Sequence, residues 1–156
     1  MISNLKKTFD EVSITCSVLK RLNASEIVKF DDRIKSQKVQ YFAQIFGVSP
    51  IYSFNLYIRG PYSPDLAHDL YEVEKTGIKI PIEKFVSEEM EKRLSALREF
   101  LKEKTNRDLE IISTLHWLLK VVNLPKSLAE LKLRELKNST PEEEKLAFVA
   151  LERIPA

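Results

Sequence analysis

Two histidines are the only side chains in this 156-residue sequence that ordinarily titrate close to neutral pH. In "PDLAHDLYEVEKTG", His68 and Glu72 lie four apart, and so do Asp65 and Asp69. Residues at that spacing are neighbours on a helix surface. Imidazole and carboxylate together form a donor set that a divalent cation accepts. A metal-dependent enzyme built on His68 and these carboxylates is therefore one expectation, and the weakest of three. The same spacing also describes an acidic, solvated helix face, and on that reading there is no catalytic residue, no metal and no cofactor. His116, in "STLHWLLK", reads as a helix histidine packed beside Trp117.

The other chemical signatures are missing from the sequence. Three glycines cannot build a phosphate-binding loop, and neither paired cysteines nor HExxH occur. Cys16 is alone, so it cannot close an internal disulfide and reads as a partly buried free thiol. No apolar run approaches the ~20 residues that span a bilayer. The start, "MISNLKKTFDEVS", lacks a signal-peptide core. The expected setting is cytoplasmic and reducing. Hydrophobic residues at 44% and charged residues at 31% describe a globular chain. A net charge of +2 is too mild to imply nucleic acid by itself. Scarce glycine and abundant Lys and Glu are in keeping with a heat-tolerant source.

The elements that must position these residues are mostly helices. Leu5, Phe9, Val12, Cys16 and Leu19 line one face, with Ile14, Val18 and Leu22 beside it. Asp31 or Asp32 is the expected cap of "RIKSQKVQYFAQIF", which Gly47 and Pro50 end. "IYSFNLYIR" changes period: Tyr52, Phe54, Leu56 and Ile58 alternate with polar positions and predict a strand buried on one face. "IKIPI", residues 78–82, alternates too, with Pro81 confining it to an edge. Between them "GPYSPDL" predicts a strand-to-helix corner. Gly60 and Pro61 break the strand, Ser63 caps, and Pro64 occupies the first helical position. Further helices follow Ser87, Asn106, Pro125–Ser127 and "STPEEEKLAFVALER", the last opened by a Thr140–Pro141–Glu143 capping box. The expected fold is mainly α (α+β): one compact domain over 1–156, with six or seven helices. Its β element pairs 52–58 with 78–82, in an arrangement open to a winged-helix reading.

A winged helix would place residues 64–76 in the DNA major groove. Residues 60–91 carry eight acidic and three basic groups, a surface that phosphate repels. In that alternative, a DNA-associated regulator, the expected phosphate contacts are Arg33, Lys35 and Lys38. The preferred expectation is a protein partner or self-association, with no membrane and no catalysis. Tyr57, Arg59 and Tyr62 flank the corner, and Tyr and Arg are enriched where interfaces bind tightly. The competing reading has both tyrosines bracing the turn.

The aromatic strand, then "GPYS", then "L..DLYEVEKTG", resembles the YwgA-like prokaryotic proteins and, more distantly, the SocA-like antitoxins of the Panacea domain type. The likeness runs over residues 33–78, including "RIKSQKVQYF", with a weaker extension into "LEIISTLHWLL" and "STPEEEKLAFVALER". The resemblance implies a mainly helical domain with a small β element. It also implies an antitoxin-like or adaptor role exercised by binding other proteins. Gly60, Pro61, Tyr62 and Ser63, with Leu66 and Asp69, carry over as markers of the fold.

Overall fold

The structure, a computed structural model, describes residues 4–80 and 87–155. In chain order these form α1 (Phe9–Arg21), α2 (Phe30–Ile45), β1 (Asn55–Tyr57), β2 (Gly60–Tyr62) and α3 (Pro64–Thr76). There follow α4 (Glu88–Leu101), α5 (Asn106–His116), a π-helical turn (Trp117–Val121), α6 (Lys126–Lys137) and α7 (Pro141–Leu151). The protein is mainly α, with seven α-helices among the described residues and a small two-stranded antiparallel sheet. None of these helices is long and apolar enough to cross a membrane.

Local chemistry sets the helix ends. Thr8, Thr105 and Thr140 each accept from the third helical amide, and Glu11, Asp108 and Glu143 return the bond to the cap backbone. Ser63 caps α3 with Pro64 behind it, and Gly77 leaves it at φ 69°. The starts of three helices differ from expectation. α2 begins at Phe30, so Asp31 and Asp32 lie in its first turn, where their charge meets the helix dipole. α5 is capped by Thr105 instead of Asn106, and α6 starts directly after Pro125.

α2 and α5 are the central helices. α2 packs on α1, α3, α4 and α5, while α5 also meets α6, α7 and β2. From Ser36 to Ala43 every residue of α2 is buried, including Gln37, Lys38 and Gln40. One continuous apolar cluster runs from Val12 on α1 to Ala150 on α7. α1 contributes a narrower face than its pattern predicts, since Phe9 and Ile14 are exposed.

The β element has a different partner from the expected one. β1 pairs with β2, in the register Asn55↔Tyr62, Leu56↔Pro61, Tyr57↔Gly60, not with 78–82. Residues 78–80 are not in a strand, and 81–86 lie outside the described residues. The reason is local. Neither Ile58 nor Arg59 has the positive φ of a primed two-residue hairpin turn, and the reversal is instead completed by Gly60, the residue after them, at φ 96°. Gly60 and Pro61 thus turn the chain back into a second strand where a break was expected. The strand is also shorter than predicted. Around Tyr52, backbone bonds go to the Gln44 side chain: Tyr52 N donates to Oε1 at 3.0 Å, and its carbonyl accepts from Nε2 at 3.1 Å.

Candidate functional site

Residues 49–63 are held less by their own sheet than by polar side chains of α2. Gln37, Gln40 and Gln44 recur at steps of three and four, which places them along one face. Gln37 clasps Ser63 twice: Ser63 N donates to Oε1 at 2.8 Å, and Nε2 donates to the Ser63 carbonyl at 3.0 Å. Gln40 Nε2 donates to the Pro50 carbonyl at 3.0 Å, and Ser49 Oγ donates to Gln40 Oε1 at 3.0 Å. Lys38 Nζ donates to the Pro61 carbonyl at 2.7 Å. Buried polar groups demand such partners, and here each finds one on the passing main chain.

Lys38 was an expected phosphate contact, and the structure corrects this. The side chain is 0% exposed and spent on Pro61, so a nucleic-acid phosphate has no route to it. Burial pushes its pKa down to about 8, with Lys137 adding to the drop and Glu110 opposing it. Lys137, also buried, bonds Glu110 Oε2 at 3.1 Å and the Ile58 carbonyl at 2.5 Å. Two ammonium groups, from α2 and α6, therefore grip the two ends of the Ile58–Pro61 turn. Gly60 is required twice over. Besides its φ, a Cβ there would lie 3.0 Å from Thr114 Oγ1 and 3.3 Å from Lys38 Cε.

The remaining marker residues lie where this mount needs them. Gly60, Pro61, Ser63 and Leu66 are buried. Asp69, also fully buried, accepts from Lys6 N at 2.6 Å, Lys7 N at 3.1 Å and Tyr52 Oη at 2.8 Å, tying the N-terminal segment and 52 to α3. Burial and this carboxylate hold the Tyr52 phenol above its usual range. The His68 cluster does not assemble. Asp69 faces inward, Asp65 is exposed, and His68 Nε2 lies 2.6 Å from the Asn4 carbonyl. Among the described residues no three His, Cys, Asp or Glu side chains converge on a metal position. Cys16 is buried, and desolvation raises its pKa to about 11, which leaves the thiol unreactive.

Outside this mount the corner displays aromatic side chains. Tyr57 is half-exposed and meets Tyr62 edge-to-face, at 5.5 Å between centroids. Arg59 stacks its guanidinium 5.5 Å above the Phe30 ring, and Arg33 approaches the same ring at 6.0 Å. Arg33 is tied down by bonds to the Ile27 and Val28 carbonyls. Lys35 lies apart, at a depression bordered by Arg21 and Arg98, so the three expected phosphate contacts share no surface with one another. A groove of about 550 Å³ opens between the start of α2 and α3, with Tyr62 at one end. Val28 at 70% exposure, Tyr71 at 58% and Phe30 at 52% supply its apolar walls, with Arg33 and Glu74 on opposite sides. The sequence reading missed Val28, Phe30 and Tyr71. For Phe30 and Tyr71 the signal was an apolar residue set off the buried stripe of its own helix; Val28 precedes α2 and carried no such signal.

No family model matches the chain, and no curated protein or solved structure matches it either.

Proposed function

We propose that the protein is a non-catalytic interaction module whose α2–α3 groove seats an apolar or aromatic segment of a protein partner. One observation carries this reading: exposed Val28, Phe30 and Tyr71, with half-buried Tyr62, line one groove. Contiguous apolar surface of this kind marks a docking site more often than scattered exposed residues do. Two arginines held against Phe30 add contacts that desolvated interfaces use. A helical segment with anchors at steps of three and four suits such a groove. The likeness of "GPYS" and the helix after it to YwgA-like and SocA-like proteins supports the same antitoxin-like or adaptor role.

The DNA-associated alternative has less support. Asp65 and Glu74 are exposed on α3, the helix that would enter the groove of DNA, and Lys38 is spent inside the protein.

A photo-crosslinking amino acid at position 71, compared with one at exposed position 128 on α6, tests the docking reading in lysate of the native host. Adducts specific to position 71, abolished by Phe30→Ala, are expected. Equal labelling from both positions would overturn the reading.

A further inference from the structure

A second cavity, of about 470 Å³, lies where the end of α2, the π-helical turn, the start of α6 and the end of α7 meet. Its size falls within the range of small-molecule sites. Ile45, Leu119, Phe148 and Leu151 make most of its wall apolar. A hydrogen-bonded imidazole is built into that wall. His116 Nδ1 lies 2.7 Å from the Tyr41 hydroxyl, with the two rings edge-to-face at 5.5 Å.

The proton position follows from the partners. Tyr41 Oη is buried with this nitrogen as its partner, so the hydroxyl proton is satisfied when it donates to Nδ1. The imidazole then carries its own proton on Nε2. Among the described residues no buried side-chain nitrogen or oxygen lacks a partner. Nε2 makes no bond to them, and His116 lines the cavity, so its N–H is left to that space. Burial lowers the His116 pKa to about 4, so the ring is neutral at pH 7 and acts there as a fixed donor. Lys120 lies close enough to His116 to oppose its protonation, and Lys126 also borders the cavity. Among the described residues Glu152 is the single carboxylate side chain on the rim. The wall also includes the π-helical turn, a geometry that recurs at functional sites.

We infer that this cavity binds a small amphipathic monocarboxylate, with its head on the His116 Nε2–H and the Lys120 ammonium and its tail against Phe148 and Leu151. Two ammonium groups and one N–H suit a single anionic head. Glu152 disfavours a second carboxylate. The walls suit a short chain or a ring. This site is separate from the α2–α3 groove and does not depend on the docking proposal.

Octanoate serves as the probe, titrated into the full chain by calorimetry and by ¹⁵N-detected histidine NMR. Saturable binding that shifts the His116 Nε2 signal is expected. Octanol and octanedioate should bind about tenfold more weakly, since a charge-assisted hydrogen bond is lost or a repulsion added. Lys120→Gln, an exposed change that leaves the fold intact by circular dichroism, should weaken octanoate about fivefold to tenfold. His116→Leu should abolish the NMR signature and weaken octanoate further. No saturable octanoate binding would overturn the proposal. So would equal affinity for octanol, or octanoate binding undiminished in Lys120→Gln.

Discussion

The two faces of α2 solve the same burial problem by different means. On one face Phe42, with Phe46 just beyond the helix, packs against Phe100 of α4, with ring centroids 4.9 Å and 5.4 Å apart, and Val39 is buried in the same apolar cluster. On the other, Gln37 and Gln40 are just as buried and reach the main chain of 50–63, joined from the flank of the helix by buried Lys38. The apolar face is held by area and shape, which many side chains provide. The polar face is held atom by atom, and each group removed leaves a partner orphaned. The same helix therefore carries a tolerant half and an exacting half.

Phe42→Ala should produce the largest loss, about 3–5 kcal/mol in urea unfolding, because the ring is fully buried between two others. Gln37→Leu probes the other face at nearly constant volume. It orphans Ser63 N, while the Ser63 carbonyl keeps its bond from Ala67 N, and should cost about 1–3 kcal/mol. A neutral result there would erase the contrast, since the amide would then be replaceable by any filler.

Lys38 sharpens the comparison through pH. Its pKa is about 8 in the folded protein against 10.5 ordinarily. Below pH 8 both states hold the proton; between about 8 and 10.5 the unfolded chain alone holds it. The unfolded state then binds more protons, so this group's contribution to stability rises with pH across that window. Urea midpoints of the wild type, measured against Lys38→Met from pH 7.5 to 10, should show a relative gain on the alkaline side. A flat difference would mean that the ammonium reaches water. The smallest effect belongs to Tyr71→Ala, which should change stability by less than about 0.5 kcal/mol, since the ring is exposed. A larger loss would make Tyr71 part of the core and not of the groove.

Much of the helical frame was legible because its signals are local. Thr140, Pro141 and Glu143 sit within four residues, and Ser63, Pro64 and Gly77 mark α3 just as plainly. The hairpin was harder. Alternation at 52–58 reveals an extended segment without naming its partner, and the true partner lay three residues downstream, behind a turn that only Gly60 permits. Lys38 was misread for a general reason: a lysine usually marks surface, and burial of this one depends on a carbonyl 23 residues away. The glutamine face was visible as three amides at helical spacing on the side of α2 opposite Val39 and Phe42. Its meaning required knowing which main chain passes beside it. The groove walls Phe30 and Tyr71 come from different helices, so only their packing brings them together.

The clamp on residues 50–63 touches carbonyl and amide groups that nearly every amino acid possesses. Outward positions such as 51, 53, 57, 58 and 59 contribute none of the gripped atoms there except the Ile58 carbonyl, which any residue supplies. Recognition chemistry at this rim can therefore be rewritten by drift or by a randomised library while the chassis beneath stays unaltered. Evolution would find new ligand preferences here inexpensive to explore.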